Sequence, residues 1–182
     1  MYPEYQIIRS SRKTTAIRIT PAGQVQVLCP RRLPKPQIQA FVDSKLPWIE
    51  KHLARIAARP SLPPFTPEEL HDLAARAKEY IPQRAAYFSP QVGVSYGRIT
   101  IRSQHTRWGS CSAGGNLNFN CLLMLAPPEV LDYVVVHELC HRRELNHSPR
   151  FWAEVERILP QYREQRRWLK EHGGAIIARL PQ

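Results

Sequence analysis

The sequence predicts an α+β fold, and three observations carry that expectation. Apolar residues alternate with period two in the N-terminal third, recur at three- and four-residue spacings in several later stretches, and return to strand-like patterning near residues 98 and 116. Strands and helices therefore come in separate groups rather than one for one. The 182 residues suffice for a core burying about 70% of the unfolded chain's surface. With 43% hydrophobic and 23% charged residues, collagen-like and disordered classes are excluded. No apolar run approaches the roughly 18 residues of a membrane span, and residues 1–13 lack the apolar stretch of a signal peptide. The expected setting is cytoplasmic, with no membrane partner.

Between residues 5 and 30, Ile17/Ile19 and Val25/Val27 flank Pro21-Ala22-Gly23, the pattern of a β-hairpin with half its side chains solvated. Arg9, Arg12, Lys13 and Arg18 fall on its wet parts. Pro36 opens a helical pattern through Ile38, Phe41, Val42, Ile49, Leu53 and Ile56. Pro47 interrupts it, and since an interior proline costs about 3 kcal/mol, a kink or break is expected near Leu46. Residues 59–67, with four prolines, cannot form a helix and read as a linker or crossing loop. The chain thus divides into a basic strand-and-helix module, 1–60, and a region 61–182, the two expected to form one compact unit.

Thr66 and Glu69 bracket Pro67 as a capping box, starting a helix to about residue 86 with Leu70, Leu73, Ala74, Ala77 and Ile81 on one face. Strands follow at 98–102 and 116–125, enclosing the polar segment 104–115. Pro127 and Pro128 preset a helix over 129–143. Ser148 caps the next, which has Pro149 at its first position and carries Phe151, Trp152, Val155 and Ile158. Pro160 stops it, and residues 162–171 make a last helix before Gly173-Gly174.

The 26 Lys+Arg against 15 Asp+Glu leave a net charge of +11. Residues 1–60 hold 11 basic and 3 acidic side chains, so most of the excess belongs to the N-terminal module. Such a face suits an acidic or nucleic-acid partner, or is simply solvated. The four cysteines form no CxxC pair and read as free thiols, most of them buried.

The chemistry concentrates at His137-Glu138-Leu139-Cys140-His141, an HExxH motif in an apolar helix. Residues i and i+4 share a helix face, so both imidazoles point one way and can hold one zinc ion, with Glu138 beside its open face as general base. A third ligand stands at His147. HExxH arises by chance in about 0.02 of chains of this composition, and with a histidine at that further spacing in fewer than about 0.001, so the joint signal is specific. Asn146 tolerates the left-handed conformation and would let the chain reverse there. An uncompensated carboxylate beside Val134-Val135-Val136 would be costly to bury, which again favours a metal or a cation. Arg107-Trp108-Gly109-Ser110-Cys111 is the second constellation: Gly109 permits close backbone approach and Arg107 suits an anion or oxyanion.

RWGSC at 107–111, the strand at 116–125, APPEVLDYVVVHELCH at 126–141 and NHSPRFW at 146–152, in that order, resemble the YgjP-like metallopeptidase family, related to SprT-like and WLM proteases. The similarity also takes in RKTTAIRITPAGQVQVLCPRRLP and a helix with Trp48-Ile49. It implies a zincin-like fold, a small mixed β-sheet packed on the HExxH helix beside the N-terminal hairpin/helix module. It further implies zinc, or another divalent metal, on His137, His141 and His147, with Glu138 as catalytic base. Four positions depart from expected patterns. Metalloproteases with this third-histidine spacing carry Gly where Glu144 stands. Cys121 and Leu122 replace an aromatic and a basic residue after Asn120, and His105 stands two before Arg107; both are expected to alter the substrate groove.

The leading expectation is zinc-dependent peptide-bond hydrolysis, with Arg107, His105 and Tyr133 as candidate substrate or oxyanion donors. Extended peptide would add to an exposed strand. Some relatives are described as UTP pyrophosphatases, and Arg12, Lys13, Arg31, Arg32 and Arg107 could collect phosphates, although no glycine-rich phosphate loop is present. The third expectation is a nucleic-acid-associated protein or protease using the basic N-terminal face.

Overall fold

The computed structural model describes residues 2–20, 22–58 and 62–181. Pro21 of the expected turn and residues 59–61 of the expected linker lie outside them. Two units emerge, Met1–Leu62 and Pro63–Gln182.

In the first, β1 (Tyr5–Ser10), β2 (Ala16–Ile19) and β3 (Val25–Pro30) form a sheet ordered β1-β3-β2. The expected hairpin is the antiparallel β2–β3 pair, Ile17 opposite Val27 and Ile19 opposite Val25. The sequence reading missed β1, which runs parallel to β3. Its adjacent Ile7 and Ile8 break the two-residue alternation by which a strand is recognised. Helices α1 (Lys35–Asp43) and α2 (Leu46–Ala57) are separate. Pro47 falls in the first turn of α2, where a missing N–H leaves no bond unmade, and the break precedes it as expected. Val25, Val27 and Cys29 of β3 pack with Ile38, Val42 and Ile49. Arg9, Lys13 and Arg18 are exposed as expected, whereas Arg12 is half-buried. Arg9 donates through Nη1 to the Arg31 and Leu33 carbonyls, each at 2.8 Å, so one of the cations anchors the strand end.

The second unit holds the mixed sheet. β4 (Ile99–Arg102), β5 (Gly109–Cys111) and β6 (Leu117–Asn120) are ordered β4-β6-β5, with β4 parallel and β5 antiparallel to β6. Two expectations are corrected. The later strand ends at Asn120, and Cys121–Leu125 coil into a 3-10 turn. The segment 104–115 is not all turn, because its centre pairs as β5. A three-residue strand is too short for periodicity to reveal.

Around the sheet run α3 (Pro67–Val92), α4 (Pro128–Cys140), α5 (Pro149–Ile158) and α6 (Tyr162–Ile177). The Thr66/Glu69 capping box forms reciprocally, with bonds of 2.8 and 3.2 Å. α3 continues past residue 86, through Pro82 and Pro90, to Gly93. Its buried face, Leu73, Ala77, Ile81, Ala85, Phe88 and Val92, packs against α4, the Cys121–Leu125 turn, β4 and α5, and that packing outweighs the hydrogen bonds the prolines remove. α6 likewise passes Gly173. A Cβ there would lie 3.0 Å from the Trp108 ring, so this glycine admits a neighbour rather than ending the helix. α4 buries Val130, Leu131, Val134, Val135, Val136, Leu139 and Cys140, and contacts α3, α5, α6 and β5. A helix apolar on all sides must be enclosed on all sides, which makes α4 the central element. The free thiols are buried at Cys29, Cys121 and Cys140 and half-buried at Cys111.

Asn120, fully buried, joins the loop to the sheet. Its Nδ2 donates to the carbonyls of Gln104 (2.7 Å) and Arg107 (3.1 Å), and its Oδ1 accepts from the Leu122 amide (3.2 Å). Asn120→Ala strands one buried amide and two partly buried carbonyls, at about 1–3 kcal/mol for the buried group and less for the two that water can reach. We expect a loss of about 2–4 kcal/mol, read as a lower urea midpoint at unchanged slope.

Candidate metal centre

α4 ends where its chemistry begins. His137 lies one turn before its end and His141 immediately after it, both on the same face. Successive turns then carry the chain round: Arg142 N–H bonds the Leu139 carbonyl, and Arg143 and Glu144 N–H bond that of Cys140. Among the described residues no non-glycine has positive φ, so the expected left-handed reversal at Asn146 does not occur. Asn146 acts through its side chain instead, Oδ1 accepting from Ser148 N–H at 3.1 Å. The absence of a left-handed residue also removes the need for glycine at Glu144. Ser148 caps α5 by accepting from Phe151 N–H at 3.3 Å, which fixes the position of His147 immediately before it.

The potential ligand atoms of His137, His141 and His147 lie within 4.8 Å of one another. The Nε2 atoms of His137 and His147 face each other at 3.0 Å. Two neutral imidazoles cannot both aim lone pairs across that gap, so the pair requires a proton or a shared cation. His141 Nδ1 lies 3.0 Å from the Glu144 carbonyl. A carbonyl only accepts, so Nδ1 carries the hydrogen and Nε2 keeps its lone pair. Phe151, fully buried, is the floor beneath all three rings, with centroids at 4.8, 4.5 and 4.8 Å. Burial, joined by the charges of His141, His147 and Arg166, pushes His137 down to about 3. Burial, His141 and Arg166 also lower His147. Neutral nitrogen donors around a narrow gap fit a borderline metal ion such as zinc, which binds imidazole at about 2.0–2.1 Å.

Glu138, next to His137 on α4, is 5% exposed. A Cβ on Gly109 would lie 2.6 Å from its Oε1, so the carboxyl rests on bare β5 backbone. Gly109 was expected to admit close approach, and what approaches is the proposed base. Burial pushes Glu138 up to about 8, opposed by the Arg107 charge. The structure thus brings Arg107 near Glu138. Tyr133, one turn before His137, meets that ring edge-on at 5.8 Å. Its hydroxyl is pushed up to about 12 by burial, lowered in part by Arg166 and raised by Tyr162 and Glu138. His105 is exposed and makes no hydrogen bond or ring contact among the described residues, so nothing brings it to the cluster. Cys121 and Leu122 are fully buried, so the departure at these positions changes the core, not a groove.

Sequence reasoning missed the aromatic wall and its cation. Tyr133, Tyr162 and Trp152 stack in turn (6.3 Å and 19°, then 5.4 Å and 14°), and Trp152 continues to His147 at 5.6 Å and 25°. Arg166 lies over Trp152 at 4.5 Å. The i,i+4 spacing of Tyr162 and Arg166 was the available signal.

A family model described as "YgjP-like, metallopeptidase domain" matches residues 13–73 and 68–172. No curated protein matches the chain. Among solved structures, the metallopeptidase zymogen of Pyrococcus abyssi abylysin is 21% identical, covering 50% of this chain and 93% of its own, with TM-score 0.46. That of Methanocaldococcus jannaschii jannalysin is 19% identical, covering 51% and 96%, also with TM-score 0.46.

In metal-free protein, a carboxyl whose pKa rises from 4.5 unfolded to about 8 folded contributes stability below pH 4.5 that is lost as pH climbs towards 8. The loss is on the order of a few kcal/mol, at about 1.4 kcal/mol per unit. Glu138→Gln lacks this group. With chelator present, urea melts across that window should show wild type losing stability relative to the variant.

Proposed function

The chain belongs to the YgjP-like metallopeptidase family, and we propose that it hydrolyses peptide bonds at a zinc ion held by His137, His141 and His147, with Glu138 as general base. The observation that carries the reading is the convergence of the three imidazoles within 4.8 Å while Glu138, next to the first of them, rests against Gly109. Zinc bound there would act as a Lewis acid, lowering the pKa of a coordinated water from about 15.7 to about 7 and polarising the scissile carbonyl. Glu138 takes a proton from the attacking water and returns it to the departing amine. Its burial strengthens it as a base relative to an exposed carboxylate.

Arg107, beside Glu138, and Tyr133, kept protonated by burial, are the groups able to donate to the developing oxyanion. Phe151 and the aromatic wall keep bulk water from one side of the cluster. Substrate would lie along β5. Trp108 and Ser112 bond Asn120 and Asn116, so by antiparallel alternation Gly109 and Cys111 turn their N–H and C=O groups away from β6. An extended peptide can take up that edge beside Glu138. All three clustered donors are imidazoles, a set that favours zinc over the oxygen-loving magnesium of nucleotide hydrolysis.

Chelation should abolish hydrolysis of an unfolded protein substrate, and zinc should restore it. Glu138→Gln should retain about one zinc per chain by elemental analysis and lose about 10²–10⁴-fold in kcat, the usual contribution of general acid–base catalysis. Full activity in that variant would remove Glu138 from its role. Gly109→Ala should likewise keep the metal but lose at least tenfold in kcat, because its methyl group displaces the carboxyl.

A further inference from the structure

We propose that Arg166 is a specificity residue that binds a carboxylate of the peptide substrate beside the metal centre. The inference rests on the peptidase reading and adds to it a class of substrate.

Arg166 stands one turn after Tyr162 on α6. Tyr162 is buried and fixes that turn by stacking between Tyr133 and Trp152. The guanidinium lies 4.5 Å over the Trp152 ring. Trp152 in turn is 5.6 Å from the His147 ring and 5.8 Å from that of His137. The cation is therefore held beside the cluster, two ring contacts from its ligands.

Several other arginines of this unit are paired with acids. Arg84 is bidentate to Asp132 at 2.6 and 2.8 Å, Arg157 meets Glu154 at 3.0 Å, and Arg163, on the same helix, meets Glu156 at 2.5 Å. Arg166 has no hydrogen bond or ion pair among the described residues, and it is exposed. Its charge reaches His137, His147 and Tyr133. An uncompensated cation near a site built to hold another cation is unfavourable, and an anion bound at Arg166 relieves the repulsion. The contact with the Trp152 ring places the guanidinium, and its N–H groups have no partner among the described residues, so they can bind a carboxylate bidentately. In a peptide, that carboxylate is either an acidic side chain or the free C-terminus.

The test is a set of quenched fluorogenic peptides differing only in Glu against Gln at positions flanking the cleaved bond, or in free acid against amide at the C-terminus. Zinc-loaded wild type, Arg166→Gln and Arg166→Lys are compared. Wild type should favour one carboxylate-bearing arm by at least about tenfold in kcat/KM, mainly through KM. Arg166→Gln should bring the ratio near one with unchanged zinc content and melting temperature, and Arg166→Lys should keep part of it. The arm that responds identifies the source of the carboxylate. The same peptides titrated calorimetrically into Glu138→Gln protein should show the same preference in Kd without turnover. Equal use of acidic and neutral peptides by wild type, or a preference that survives Arg166→Gln, overturns the proposal. If wild type cleaves none of them, the peptidase reading fails, and calorimetry alone then judges Arg166: binding that depends on both carboxylate and Arg166 sustains it, and any other result overturns it.

Discussion

The buried contact between Glu138 and the backbone of Gly109 is the constraint from which the rest of the catalytic unit follows. A carboxyl 5% exposed, on a helix otherwise apolar, is tolerable only at a defined polar spot. β5 leaves room for it, and only with glycine there, since a Cβ would come within 2.6 Å of Oε1, while the charge of Arg107 offsets part of the cost of burial. β5 must then pair with β6, and β6 must end in Asn120, whose amide holds the Gln104 and Arg107 carbonyls. The loop carrying Arg107 is thereby held near Glu138. The strand, the loop and the cation are consequences of where one carboxyl is put.

The same burial sets the protonation states. Removal from water disfavours charge on every group, so His137 is pushed down to about 3 while Glu138 rises to about 8. Neutral imidazoles are what a metal needs, and a carboxyl with raised affinity for a proton is what a base needs. Phe151 and the Tyr133–Tyr162–Trp152 stack supply the apolar surroundings of His137, and packing against β5 encloses Glu138. Arg107 and Arg166 bring positive charge to opposite members of the site, one acting on Glu138 and the other on His137 and His147.

Features governed by a few neighbouring residues were legible in the sequence. The Thr66/Glu69 capping box, the break before Leu46 and the Ser148 cap all appear in the structure, because each is decided within one helical turn. Features governed by distant partners were not. β1 is a strand because β3 lies beside it, and β5 because β6 does. α3 passes two prolines, and α6 passes two glycines, because α4 and Trp108 wait for their buried faces.

The sequence by itself determined the one-face placement of His137 and His141, since helical periodicity needs no other information. It also marked His147, Glu138, Arg107 and Gly109 as the residues to watch. Only the tertiary structure decided how His147 returns, through helical turns and the Asn146 side chain rather than a left-handed residue. Only it showed that Glu138 occupies the space above Gly109, that His105 is exposed, and that Arg166 lies over Trp152 beside the cluster. Periodicity records which face a side chain takes on its own element. What stands opposite that face depends on packing between segments tens of residues apart, which no local pattern encodes.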